Sequence, residues 1–476
     1  MRALLTSLLL VAACVRSPRE TATVPQADPL AQRPEVGAAP AFAATVPERF
    51  TLSNGAEVWL VQQPSLPLVS IRLVVPGGSA LDPADKPGLS SLTDSMLTHG
   101  AGSRDAAEFA RAVEQQAFTL GARADGVSSV VYLDSHAARL DDGLALMADA
   151  VLRPKFDASE LDRVRDLRLG SIAESLDDPP TVASWVADRV FFGAQHPLGH
   201  PAIGTEAGIK AIKAEDLKAS WSRRYGPKGA TFVVAGAIDA ASLKAALEKH
   251  FGAWATATQP PPVLSYNDAT NSAAQRFVFV DNPGASQSVL RVMMSGWTAN
   301  DPVSYDARLG VVVLGGTFTS RLNRLLREEK GYTYGVRARL ESGESIGLVT
   351  VSTSVVRDST APALVDLLGE VDRIRQGITP DELEKARGAR RTSLVSSMEG
   401  RGSVADTFVS YETRGLEPDA LAQDLASLDR ATVESVNKAM ADLPFDTALI
   451  LVMGDLSVVR ADVEKAVPGA WTLVAR

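Results

Sequence analysis

The sequence predicts an α+β fold of two homologous domains, each a mostly antiparallel sheet covered by helices. Three observations lead there. The chain has 476 residues, too many for one ordinary domain and suited to two of roughly 200 residues each. Short β-like runs alternate with paired helix-like stretches, the pattern of a sheet with helices laid on one face. Finally, motifs of the first half recur in the second at a nearly constant distance. Arg72 in Ser70-Ile71-Arg72-Leu73-Val74 matches Arg291 in Val289-Leu290-Arg291-Val292-Met293, 219 residues on. Leu161 in Ser159-Glu160-Leu161-Asp162-Arg163 matches Leu383 in Asp381-Glu382-Leu383-Glu384-Lys385, 222 on, and Gly236 after Phe232-Val233-Val234-Ala235 matches Gly454 after Ile450-Leu451-Val452-Met453, 218 on. One steady shift across three separate matches signals duplication of a whole domain.

Residues 1–14 open with Arg2 and the apolar run Ala3 to Ala13, a signal-peptide core too short to be a stable membrane span. The run ends Leu10-Val11-Ala12-Ala13-Cys14, which is similar to a bacterial lipobox and marks Cys14, the only cysteine, for lipidation. A single cysteine allows no intramolecular disulfide, and several acyl chains would hold the mature protein on a membrane. Val15 stands where an Asp would direct inner-membrane retention, so the expected location is the cell envelope, on the periplasmic side of the outer membrane. Residues 15–45 are rich in Pro, Ala and small polar residues and read as a flexible tether.

The first domain is expected over 46–256. Phe50-Thr51-Leu52 leads into the turn Asn54-Gly55 and then Ala56 to Gln62, a hairpin signal. A β-like run from Leu68 to Val75 follows, with helices near 86–99 and 104–119, a strand from Ser128 to Leu133, helices near 140–152 and 158–176, a helix near 214–223, and the strand Ala230 to Ala235. Residues 257–275 form the linker, where Gln259-Pro260-Pro261-Pro262 cannot continue a helix or a central strand. The second domain, 276–476, repeats the order.

Two segments carry the chemistry. Gly88-Leu89-Ser90-Ser91-Leu92-Thr93-Asp94-Ser95, following Gly77 to Pro87, resembles the metal helix of the pitrilysin/insulinase family of zinc peptidases, in which a Gly precedes H-x-x-E-H. Helix positions i, i+3 and i+4 share a face, so two imidazoles can hold one zinc while the Glu polarises its water. Here those positions carry Ser91, Asp94 and Ser95, and the family's third ligand, a Glu on a later helix, aligns with Ser171. Neutral hydroxyls are poor zinc ligands. The resemblance therefore implies a degenerate motif: no metal site, no cofactor in this chain, and no peptidase activity by the chain alone.

The second segment runs from Gly315-Gly316-Thr317-Phe318 through Leu326-Arg327-Glu328-Glu329-Lys330-Gly331-Tyr332-Thr333-Tyr334. It resembles the family's Arg/Tyr element, in which an Arg holds the substrate backbone and a Tyr seven positions on donates to the developing oxyanion. Those residues are Arg327 and Tyr334. Only Gly315-Gly316 remain of the glycine-rich loop that some family members carry.

The resemblance implies a heterodimer: this chain, the non-catalytic subunit, would supply Arg327 and Tyr334 to a homologous partner whose motif holds the zinc, with a peptide adding a strand to a sheet edge. The alternative is a non-catalytic scaffold or peptide-binding lipoprotein of the same fold. A formal net charge of −9 argues against nucleic-acid binding. His196 and His200 stand i, i+4 apart, but Pro197, Gly199 and Pro201 break any helix there. Gly343-Glu344-Ser345-Ile346-Gly347 matches the pattern of a nucleophile elbow, yet a strand-like run follows it where an elbow needs a helix, and no histidine lies beyond His250. A hairpin turn is the better reading.

Overall fold

The computed structural model describes residues 42–255 and 276–476. The expectations for Cys14, the tether and most of the linker lie outside them.

The first half contributes strands β1 (Glu48–Thr51), β2 (Glu57–Gln62), β3 (Leu68–Pro76), β4 (Thr119–Ala124), β5 (Ser128–His136) and β6 (Thr231–Gly236). They form one sheet in the order β1-β2-β6-β3-β5-β4. Every neighbouring pair is antiparallel except β2 with β6. The second half supplies β7 (Phe277–Asp281), β8 (Gln287–Ser295), β9 (Thr333–Ser342), β10 (Gly347–Val356), β11 (Leu449–Gly454) and β12 (Trp471–Leu473), in the order β12-β7-β11-β8-β10-β9. Here β7 runs parallel to both β11 and β12. Setting the edge strands β1 and β12 aside, β2-β6-β3-β5-β4 and β7-β11-β8-β10-β9 are one topology used twice, as the repeated motifs predict.

Eight helices follow the first-half strands: α1 (Leu89–Met96), α2 (Ala106–Gln115), α3 (Leu140–Leu152), α4 (Ala158–Leu176), α5 (Pro179–Phe192), α6 (Glu206–Ala211), α7 (Ala214–Arg224) and α8 (Ala240–Phe251). The second half adds α9 (Ser304–Val311), α10 (Thr360–Ile374), α11 (Pro380–Ser396), α12 (Arg401–Glu412), α13 (Ala420–Arg430), α14 (Val433–Ala441) and α15 (Leu456–Ala466). The helix expected near 86–99 is shorter than its apolar pattern. Asp82 accepts from the backbone N–H groups of Gly88 and Ser90 at 2.8 Å, fixing the start of α1 where a left-handed Gly88 (φ 95°) breaks the chain direction.

The halves interlock in a way that helices covering one face would not produce. Strands β3, β6 and β11 are buried on both faces. One face of the first sheet packs on its own helices, with Ile71, Leu73, Phe232 and Val234 against Leu92, Leu144 and Leu243. The other face receives α12 from the second half, whose Val404 and Phe408 meet Val74, Val233 and Ala235. Reciprocally, α5 leaves the first half and lays Val182, Val186 and Phe191 on Val289, Met293 and Leu451 of β8 and β11. Each half thus closes the other's sheet, and residues 43–476 form a single compact unit. Arg72 on β3 anchors one crossing, its Nε donating to Asp406 of α12 and its Nη1 to Asp134, both at 2.9 Å. At the matching crossing, burial raises the Asp188 carboxyl to about 6 despite the opposing pull of Arg291.

Candidate functional site

Ser91, Asp94 and Ser95, expected to form a degenerate zinc motif, lie on α1, and their neighbours fall into two networks. In the first, Asp94 is fully buried. Its Oδ1 accepts from Arg224 Nη2 at 2.8 Å and from the Tyr225 hydroxyl at 2.9 Å. Arg224, in the last turn of α7, also donates from Nε to Ser220 Oγ at 3.2 Å, to the carbonyl of Ser90 at 3.3 Å and to that of Gly77 at 3.4 Å. Burial opposes the arginine's charge, but Asp94, Tyr225 and Asp82 together outweigh it, and the guanidinium pKa ends raised. Burial, and then the Asp94 charge, lift the Tyr225 hydroxyl well above its ordinary value. Asp94 therefore faces a buried cation and a phenol rather than water.

The second network is built on the two serines of the same motif. Arg168 reaches across from α4 and donates from Nη1 to Ser91 Oγ at 2.8 Å and from Nη2 to Ser95 Oγ at 2.7 Å. It can do so because Leu161, Val164 and Ile172 are the buried stripe of α4, and position 168 lies on that same face. Burial lowers the guanidinium pKa, with Asp94 opposing the shift.

Ser171, aligned with the third ligand, is exposed and turned along its own helix, its hydroxyl donating to the carbonyl of Leu167 at 3.2 Å. The side chain that joins α4 to the two serines is Arg168, one turn earlier. Sequence reasoning passed over it; the available signal was a charged residue interrupting an apolar stripe spaced by three and four. Among the described residues, no three His, Cys, Asp or Glu side chains gather into a metal-ligating cluster.

His99 sits one turn past the motif. Its Nδ1 lies 2.7 Å from the carbonyl of Ser95; since a carbonyl only accepts, Nδ1 carries the proton. His196 is buried, stacks on Phe192 with ring centroids 5.0 Å apart, and accepts at Nδ1 from the Leu198 N–H at 3.1 Å. Gly343 to Gly347 form a hairpin turn between β9 and β10, closed by the Gly343 N–H donating to Ile346 O at 2.7 Å; the elbow geometry is absent.

The Arg/Tyr element belongs to the second sheet. Arg327 lies in a π-helical stretch, Asn323–Glu329, and Tyr334 stands near the start of the edge strand β9. Buried Asn323 ties the two together. Its side-chain NH2 donates to the carbonyls of Thr317 and Val336, both at 2.9 Å, and its Oδ1 accepts from the Val336 N–H at 2.9 Å. Gly315 lets this segment approach β9, since a Cβ there would stand 2.8 Å from the backbone nitrogen of Ala338. The result is a projecting patch. Tyr334 is 92% exposed and Phe318 62% exposed, with the Arg327 guanidinium stacked 3.7 Å from the Phe318 ring centroid. Among the described residues, no hydrogen bond joins Arg327 or Tyr334 to α1.

Comparison with known proteins agrees with this architecture. Residues 57–190 match the model for "Insulinase (Peptidase family M16)" and residues 211–389 that for "Peptidase M16 inactive domain". An uncharacterized zinc protease of Mycobacterium tuberculosis is 26% identical over 401 residues, 83% of this chain and 90% of that protein. An uncharacterized zinc protease of Bacillus subtilis is 24% identical over 413 residues, 85% and 98% of the two chains. In fold, the chain is similar to a peptidase M16 inactive domain from Pseudomonas fluorescens, with a TM-score of 0.77, 23% identity, and coverage of 86% of this chain and 98% of the other.

Proposed function

The chain belongs to the pitrilysin/insulinase family, peptidase family M16, and from that premise we propose that it is the non-catalytic subunit of a two-chain zinc peptidase. One observation carries the reading: the guanidinium of Arg168 bonds the two hydroxyls that stand at the family's histidine positions. A zinc ion needs anionic or imidazole donors with free lone pairs. Ser91 and Ser95 offer neutral oxygens already accepting from a cation, and Ser171 turns away. These residues do not fit the metal.

What the chain contributes is the projecting patch. An exposed Tyr and a half-buried Arg stacked on an exposed apolar ring are residue types that anchor protein interfaces. Delivered to a homologous partner that carries the zinc, Arg327 would hold the substrate backbone, and the Tyr334 hydroxyl would donate to the carbonyl oxygen as it gains charge. Such a donor is worth about 3–4 kcal/mol in a preorganised site. The expected substrate is a peptide lying along a sheet edge, and the pair would be held to the cell envelope through a lipid on Cys14.

The test is reconstitution with a zinc-motif homologue from the same source. The chain alone is expected to be metal-free and silent. It should activate the partner, and Tyr334→Phe or Arg327→Ala should lower the pair's kcat/KM by roughly a hundredfold or more. Stoichiometric zinc and peptide cleavage by the chain alone would overturn the reading. Silence with every partner would favour a scaffold role instead.

A further inference from the structure

Of the three arginines on α4, two have carboxylate partners one turn away: Arg163 bonds Glu160 at 2.9 Å, and Arg165 pairs with Asp162. Arg168 has no carboxylate within 4 Å among the described residues. Its nearest relevant anion, Asp94, is committed to Arg224. Arg224 also feels the charge of Asp82, whereas Asp94 is the one carboxylate whose charge Arg168 is shown to feel.

A guanidinium carries five N–H donors in a planar fork. The serine hydroxyls take two of them, one from each Nη. Nε makes no hydrogen bond and is not sealed from solvent. The fork is also fixed, because both hydroxyls sit on a helix whose start is pinned by Asp82 and which Arg224 holds through Asp94. A part-buried, immobilised guanidinium with spare donors and no counter-ion is matched to a planar anion. The helix that holds both serines packs on the edge strand β4, and Leu167, next to Arg168 in the chain, is an apolar side chain 61% exposed.

We propose that Arg168, seated on Ser91 and Ser95, is a carboxylate receptor for a peptide lying on this face of the first half. The C-terminal carboxylate of a peptide and the side chain of an Asp or Glu residue share the chemistry that the fork recognises. A site that in relatives would hold a divalent cation is thereby turned into one that holds an anion. The inference rests on the reading that α1 and α4 bind no zinc.

The experiment uses the full chain without a partner and three fluorescent peptides of one neutral sequence: a free acid, a C-terminal amide, and an amide with one Glu inserted. Anisotropy at low salt should show at least one acidic peptide binding roughly tenfold or more tighter than the neutral amide, the scale of a charge-assisted bond. Whichever acidic peptide gains identifies the source of the carboxylate. Arg168→Gln should erase the preference, Arg168→Lys should keep part of it, and millimolar acetate should compete in the parent protein whether or not the variants fold. Equal binding of the three peptides, no binding by any of them, or a preference that survives Arg168→Gln would overturn the proposal. Elemental analysis of the same preparation separates the two readings. Stoichiometric zinc sinks the metal-free reading, whereas a metal-free chain with no acid preference sinks only the receptor.

Discussion

Arg224→Met tests whether the buried pair behind α1 holds the degenerate motif in place. The substitution keeps most of the side-chain length and removes the cation. Asp94, with no exposed surface, then keeps only the Tyr225 hydroxyl as donor to Oδ1, and its Oδ2 already lacks a partner. Breaking a buried pair from one side leaves an uncompensated charge and costs about 3–5 kcal/mol. The interlocked halves form a unit about twice the size for which each kcal/mol moves the melting temperature by about 2–4 °C, so each kcal/mol is worth about 1–2 °C here, and a drop of roughly 3 °C or more is expected by calorimetry. The double variant Asp94→Leu with Arg224→Met should recover much of it, because an apolar pair leaves no orphaned charge. A single-variant melt within about 2 °C of the parent would refute the reasoning, as would a double variant that is worse than the single.

Glu412 makes the interlock pH-dependent. It lies at the end of α12, lining a cavity of about 700 Å³ between the halves. Burial raises its carboxyl to about 7, Thr231 donates against that shift, and the charges of Glu57, Asp125 and Glu344 add to it. Its folded pKa exceeds the ordinary value of 4.5, so the stabilisation is complete below that value and is lost as pH rises through about 7. Asp188 acts with the same sign up to about 6. Melting temperature should fall between pH 5 and 8, and Glu412→Gln should flatten the upper part of that fall. Asn323→Ala should cost about 1–3 kcal/mol by orphaning the Val336 backbone. It should also reduce partner activation while leaving the acid-peptide preference of Arg168 intact, a comparison that reconstituted activity and anisotropy can make on one preparation.

The duplication and both sheets were legible because central strands such as Phe232–Ala235 and Ile450–Met453 are continuous apolar runs, and such runs identify buried strands without any knowledge of their partners. The helix that carries Ser91, Asp94 and Ser95 was legible too, starting just after Gly88. The edge strand β4 and helices α5, α6 and α8 were not read from the sequence, and two features show why local pattern falls short. Helix α5 is apolar on most of its surface, with Val182, Ala183, Val186, Ala187, Val190, Phe191 and Phe192 all buried. That composition announces burial but not the sheet it serves, and nothing local tells a helix that it will close the other half's core. Arg168 was hidden for a related reason. In sequence it is one of three arginines on a charged helix, and only the partners of the other two set it apart.

Once Arg168 is included, the changes at the motif form a coherent set. Serines at 91 and 95 alone would leave small hydroxyls where two imidazoles and a metal would have filled space; the guanidinium fills that space and takes a hydrogen bond to each. The converse also holds. Histidines restored at 91 and 95 would meet a cation pointed at their ring nitrogens, and a metal bound there would be repelled by it at short range. Building a zinc site on this face of α1 would therefore require the removal of Arg168 as well as the introduction of ligands.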